Sequence, residues 1–347
     1  MKFFNIDCHI SVIEDVKNIF AELGHSVDSW SISGHNWVFN RQPMVPEIIN
    51  SETWRSLNSH MIKSFNNKYR NLLSNYDGFI CTYPPAFAQI FAEYNKPIIV
   101  QVPIRYEVPY SHDAKSWYML NEFLSVGYRK GLVKLIANSI YDAKYFEAFT
   151  DILPTVIPSL CEYTDIEYSP DKSSFLLSSR LGLDIDGLVP VSSLGRFKWK
   201  DIGTYAGVVV IPYNASQMSI FEYYTANIPM FCPSYNFLFE LMKNHPNQVM
   251  SELSWNKIFG LPAASAVRGN YGLTDPNNYA NPAIMHMWAQ FSDIYHMPHV
   301  IYFDSFDDLK LKLSSTNLKT VSEQMRQHNA SRRSDIMNAW RGILASL

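Results

Sequence analysis

Short, uninterrupted apolar runs, each followed by a helical pattern, recur along the whole chain and restrict it to a narrow set of folds. Asp77–Tyr83, Pro97–Pro103, Val133–Ala137 and Gly207–Pro212 are apolar at most positions, rather than at every second one. A strand with one wet face alternates; one covered by helices on both faces does not. The pattern therefore predicts parallel sheets with helices on both sides.

Strands are predicted at Lys2–Ile6, His25–Ser33, Asp77–Tyr83, Pro97–Pro103, Val133–Ala137 and Thr155–Pro158. Between them, helices are predicted over Ile10–Leu23, Ser51–Ser74, Ala86–Tyr94, Ala114–Arg129 and Tyr141–Phe149, the last capped by Ser139. After the polar stretch Tyr168–Lys172 the alternation starts again. Strands are expected at Ser174–Ser178, Gly207–Pro212, Pro229–Cys232 and His299–Phe303. Helices are expected at Ser219–Ala226, Phe237–Lys243, Ala283–Tyr295 and Phe306–Leu313. Residues 245–281, rich in Pro, Gly and Asn, read as an irregular insertion, and Leu318–Leu344 as a long closing helix. The expected division is an N-terminal Rossmann-like domain over 1–165, a second over 166–320, and a terminal helix at 321–347 packing back on the first. Ligands of such sheets bind beyond the carboxyl ends of the strands, so a cleft between the halves is the expected place.

Composition narrows the partners. With 29 Lys and Arg against 32 Asp and Glu, the net charge is -3. A nucleic-acid partner is disfavoured, because tracking a phosphate backbone needs a basic surplus. Cys8, Cys81, Cys161 and Cys232 form no close pair and are expected to be free thiols beside apolar runs. No apolar run approaches a membrane span, and the first residues do not form a secretory signal. The expectation is a soluble chain in the cytoplasm, of the host if the source is viral.

Ile211–Ser234 carries the most chemistry. A buried strand ends at Pro212, a small polar turn over Asn214–Ser216 opens a helix, and Glu222 follows one turn later. Free N–H groups at Ser216, Gln217, Met218 and Ser219 suit a diphosphate, and Glu222 suits two vicinal ribose hydroxyls. Ala226–Pro229 then turns into the next strand, with Asn227 able to take a positive φ. This segment resembles the donor domain of GT-B glycosyltransferases, which has a strand, a Pro-Ser-like turn, a helix bearing a ribose-binding Glu, and an A-x-G-x-P turn. Leu135–Cys161 resembles the end of a GT-B acceptor domain. Ser174–Arg180 resembles the first donor-domain strand, whose loop commonly supplies a phosphate-contacting basic residue. Arg180 is that candidate here, with Arg196, Lys198 and Lys200 as others.

The resemblance implies a transferase that takes a sugar from a UDP- or GDP-linked donor to a hydroxyl of a glycan or other saccharide acceptor. It implies no bound metal and no cofactor beyond the nucleotide sugar. Asn214 stands eight positions before Glu222, where many retaining members have a second glutamate, so an inverting reaction is expected. That requires a general base in the first domain. Asp7 and His9 end the first strand, and Glu107 follows the Pro97–Pro103 strand. The loop Val102–Tyr110, with Arg105 and Glu107, also bears a faint likeness to phage DNA β-glucosyltransferases, although Pro103 replaces their Asp. Arg105 and His35 are candidates for acceptor contact. The competing functions are a bilobed sugar-binding protein and a nucleotide-sugar 2-epimerase, which needs several carboxylates. Asp184 and Asp186 read as a solvated turn rather than a metal-binding D-x-D, and His286, His296 and His299 as packing residues.

Overall fold

A computed structural model describes residues 1–33, 35–39, 46–103, 105–270 and 274–347. Gly34 and Ile104, within two of the loops singled out above, lie outside the described residues, as do 271–273 of the 245–281 stretch. The chain divides into two units. Unit 1 comprises Met1–Ser159, Ser265–Leu273 and Met337–Leu347, and unit 2 comprises Leu160–Ala264 and Thr274–Ile336.

Unit 1 contains β1 (Lys2–Asp7), α1 (Ile10–Glu22), β2 (Ser26–Ser31), α2 (Ser59–Leu73), β3 (Gly78–Cys81), β4 (Ile98–Val102), α3 (Ala114–Arg129), β5 (Val133–Ala137), α4 (Ile140–Thr150) and β6 (Thr155–Val156). Its sheet order is β2-β1-β3-β4-β5-β6, and every pairing is parallel. Residues of β3 and β4 are buried throughout, the polar Gln101 of β4 included.

Unit 2 contains β7 (Phe175–Ser178), β8 (Leu188–Pro190), α5 (Trp199–Ile202), β9 (Val208–Val210), α6 (Met218–Thr225), β10 (Met230–Pro233), α7 (Tyr235–Asn244), α8 (Trp255–Ile258), α9 (Pro282–Ala289), β11 (Ile301–Phe303) and α10 (Phe306–Ser315). The closing helix α11 spans Leu318–Ala345. The sheet order is β11-β10-β9-β7-β8, again all parallel. Numbered within each unit, both sheets follow 2-1-3-4-5, the first with one further strand. Each therefore reverses direction once, at β1/β3 in unit 1 and at β7/β9 in unit 2. The architecture is two doubly wound, Rossmann-like sheets.

Several boundaries differ from the sequence reading. The helix expected from Ser51 begins at Ser59, because Asn58 is extended and its side chain accepts the Met61 N–H at 3.0 Å. Trp54–Ser56 is a separate 3-10 turn that buries Trp54 and Leu57. Pro85–Tyr94 is 3-10 rather than α. The helix expected to reach Tyr295 stops at Ala289, with a 3-10 turn at Asp293–Tyr295. Strand β8 was not foreseen: it is a three-residue edge strand, only half-buried, and too short for periodicity to reveal. Asn227 has φ +60°, the left-handed conformation its turn was expected to need.

The thiols are free, with Cys81, Cys161 and Cys232 buried. Among the described residues no helix is long and apolar enough to cross a membrane.

Candidate active site

In a doubly wound sheet the two strands flanking the reversal send their following loops apart, which opens a crevice at their carboxyl ends. In unit 2 those strands are β7 and β9. The residue two past β7 is Arg180, and the residues after β9 lead through Asn214 into α6.

The chain from Pro212 to Gln217 is held open by backbone pairing to a distant segment. Pro212 O accepts from Met250 N at 2.8 Å, and Tyr213 O from Glu252 N at 2.9 Å. Asn214 is buried; its Oδ1 accepts its neighbour's N–H. Gln217 occupies the N-cap of α6, but its side chain makes no capping hydrogen bond and donates instead to Asn214 O at 3.1 Å. Ser216, Met218 and Ser219 are partly exposed around this start. A helix start without a side-chain cap presents N–H donors and the positive end of the helix dipole.

Arg180 lies 4.1 Å over the ring of Tyr213. It donates to Ser251 Oγ at 3.2 Å and forms an ion pair with Glu252. Its guanidinium is thus oriented on three sides. Tyr213, Ser251 and Glu252 were all missed in the sequence, and the last two come from the stretch read as an irregular insertion. Glu222, on the second turn of α6, is buried, and its Oε1 accepts from Tyr163 Oη at 2.7 Å. Tyr163 belongs to the 3-10 turn Glu162–Thr164, which gave no sequence signal of its own. Arg196 and Lys198 are exposed in the connection after β8, and the Lys198 N–H is received by Asp201 Oδ2 at 3.1 Å.

In unit 1 the reversal falls between β1 and β3. Asp7, fully buried at the end of β1, joins the two strand ends. One carboxylate oxygen accepts the His9 N–H and the other the Tyr83 N–H at 2.8 Å. Burial outweighs these two bonds and pushes its pKa up to about 8. His9 is the N-cap residue of α1, yet its side chain makes no capping bond, and the residue is exposed. The protein packed around the ring, together with the charge of His35, pushes its pKa down. His35 is exposed beyond the end of β2, with its N–H donated to Ser33 Oγ at 3.1 Å.

Glu107 and Arg105 are interior residues, 1% and 3% exposed. Glu107 Oε1 accepts from Ser111 Oγ and Tyr145 Oη, both at 3.2 Å. Burial raises its pKa to about 7 against the nearby Arg105 charge. Arg105 has φ +59°. Asp142, missed in the sequence, belongs to the same buried set. It sits in the first turn of α4, bonded to the N-cap Ser139 Oγ at 2.7 Å, and burial lifts its pKa to about 7. The Ser139-x-x-Asp142 spacing of a capping box was the signal that could have found it. The structure thus groups Asp7 with His9 and His35, and Glu107 with Arg105 and Asp142.

Asp184 and Asp186 are exposed between β7 and β8. His286 stacks on Tyr235 at 3.8 Å and bonds its carbonyl at 2.9 Å, while His296 bonds Gln290 O at 3.1 Å.

The chain is similar along its whole length to solved glycosyltransferases. The kitacinnamycin glycotransferase shares 9% identity at a TM-score of 0.44, with 100% of this chain and 98% of that one covered. The glycosyltransferase SnogD from Streptomyces nogalater shares 10% at 0.46, with 100% and 99% covered. CalG4, the calicheamicin glycosyltransferase, shares 8% at 0.41, with 99% and 98% covered. No protein family and no curated protein matches the chain by sequence. The two Rossmann-like sheets rest on the strand orders given above.

Proposed function

We propose that the chain transfers a sugar from a UDP- or GDP-linked donor to a hydroxyl of a saccharide acceptor, with inversion and without a bound metal. Unit 2 holds the nucleotide. The uncapped start of α6 at Ser216–Ser219 takes the diphosphate, with Arg180 beside it, and Glu222 faces the ribose. Arg196 and Lys198 add positive charge after β8. Unit 1 supplies the base. His9 accepts the proton of the acceptor hydroxyl as its oxygen attacks the anomeric carbon, and the bond from that carbon to the diphosphate breaks. The negative charge gathering on the leaving group is met by N–H donors and guanidinium. Asp7 holds the His9 backbone in place. His35 and Arg105 are assigned to acceptor contact, and Glu107 is the reserve base.

The observation that supports this most is His9: an exposed residue at the strand reversal whose side chain is not spent on capping. The three buried carboxyls Asp7, Glu107 and Asp142 favour a second reading, a nucleotide-sugar epimerase, which needs no acceptor.

Thermal shift of the purified chain against UDP, GDP, CDP, ADP and dTDP, with and without EDTA, tests the donor half. A nucleotide at 100 times its dissociation constant should stabilise the chain by about 2.7 kcal/mol. An EDTA-insensitive rise that is lost in Glu222→Ala is expected, and no shift with any nucleotide would remove the reading. Incubation of the matching nucleotide sugar without acceptor separates the two enzymes, because only an epimerase then converts it.

A further inference from the structure

A cavity lies at the edge of the unit 2 sheet opposite the strand ends that carry Arg180 and Asn214. Lys172 precedes β7 and Ala206 precedes β9, so both stand at the amino ends of these strands, whereas Arg180 and Asn214 follow the carboxyl ends. Here the first three turns of α11 and the chain before β7 line a cavity of about 510 Å³. That volume is in the range of small-molecule sites. Its location separates it from the crevice where a doubly wound sheet receives its nucleotide.

The lining has a definite chemistry. Three cations, Lys172, Lys319 and Arg326, face one acid, Glu323. Lys319, Glu323 and Arg326 are exposed on one face of α11, and among the described residues no ion pair engages them. The next two arginines of the helix behave differently. Arg332 donates to Thr225 Oγ1 at 3.2 Å, and Arg333 pairs with Glu162 at 2.7 Å. Lys172 is held in place by Thr204 Oγ1 at 2.9 Å and by the ring of Tyr205 at 4.0 Å.

Ser322 supplies an independent sign. It is 3% exposed and lines the cavity, and its Oγ has no hydrogen-bond partner. A serine inside a helix ordinarily returns its hydroxyl to the carbonyl one turn back. A buried hydroxyl left without a partner is unfavourable, and a ligand atom would relieve it. Tyr168 and Leu318 give the cavity an apolar wall; the Tyr168 hydroxyl is already committed to Ala206 O at 2.7 Å.

We propose that this cavity binds a small phosphorylated sugar, with Lys319, Arg326 and Ser322 on the phosphate, Glu323 on a sugar hydroxyl, and the ring against Tyr168 and Leu318. A carboxylate is satisfied by one guanidinium fork, while a phosphate dianion has three oxygens to serve, which matches several cations with a hydroxyl between them. The site is separate from the nucleotide site proposed above and stands or falls independently of it.

Isothermal titration of the full chain with ribose 5-phosphate tests this, with ribose and gluconate as neutral and carboxylate controls. Saturable binding of ribose 5-phosphate at one site per chain is expected, weakened by added salt, with neither control binding comparably. Arg326→Ala and Lys319→Ala, both at exposed positions that leave the fold intact, should each weaken it about tenfold. Arg180→Ala, at the other edge, should leave it unchanged. Absence of saturable binding, equal binding of gluconate, indifference to both α11 variants, or loss in Arg180→Ala would each overturn the proposal.

Discussion

At the scale of single residues, the proposed base His9 and its reserve Glu107 differ in exposure. Both follow strand ends, and both have shifted proton affinities, but one is exposed and the other is sealed under Ser111 and Tyr145. A base must come within hydrogen-bond reach of the proton it takes. His9→Ala should therefore lower kcat by about 10²–10⁴-fold with little change in melting temperature, read by product formation under saturating donor. A variant that keeps wild-type kcat would transfer the role elsewhere. Glu107 makes a different prediction. Its folded pKa of about 7 lies above its unfolded value, so the folded state holds a proton that the unfolded state has released. The stabilisation is complete below about pH 4 and is lost as pH rises to about 7, at roughly 1.4 kcal/mol per pH unit. Asp7 and Asp142 act in the same direction. Glu107→Gln, which retains an acceptor oxygen but does not titrate, should flatten the fall in stability between pH 5 and 7 in urea denaturation. An unchanged slope would show that Glu107 is not protonated in the native state.

At the scale of elements, what the sequence revealed and what it hid have separate physical causes. Strands buried on both faces announce themselves, which is why β3, β4, β5 and β9 were legible. The β9–α6 connection was legible as well, because an apolar strand, a small polar turn and a helical pattern follow one another without a break. The partners of that connection were not. Met250 and Glu252 reach Pro212 and Tyr213 through backbone groups, and backbone pairing leaves no mark in residue type. Tyr163 and Ser251 were hidden for a related reason, since each gains its role from a contact distant in sequence. The start of α2 shows how local signals compete. Ser51 and Asn58 both precede helical patterns, and Trp54 and Leu57 are spaced like helix neighbours. The structure uses Asn50 Oδ1 to receive Glu52 N and Thr53 N in a short turn, and keeps Asn58 for the true cap. Asn58→Ala should thus cost about 1 kcal/mol in chemical denaturation, and Ser51→Ala almost nothing. Equal losses would place the helix start back at Ser51.

At the scale of the whole molecule, one helix serves two separate cores. Met325, on the first half of α11, is completely buried in the unit 2 cluster with Tyr224 and Val300. Asn329, one turn on, ties the helix to the α6–β10 turn by donating to Tyr224 O at 2.7 Å and Asn227 Oδ1 at 2.9 Å. Trp340, near the end, is 2% exposed, belongs to unit 1, and meets Phe20 of α1 edge-on at 5.3 Å. Truncating a buried Met costs about 2–5 kcal/mol and a buried Trp about 3–5 kcal/mol. Because each unit has its own sheet and core, these losses should remain local, as opening proceeds through cooperative subunits of structure. In hydrogen exchange read peptide by peptide, Trp340→Ala should raise exchange in β1 and α1 while leaving β9 and β10 near the wild-type rate. Met325→Ala should do the reverse, although both changes lie on the same helix. If either variant accelerates exchange equally in both sheets, the two cores open as one cooperative body, and α11 is the element that couples them.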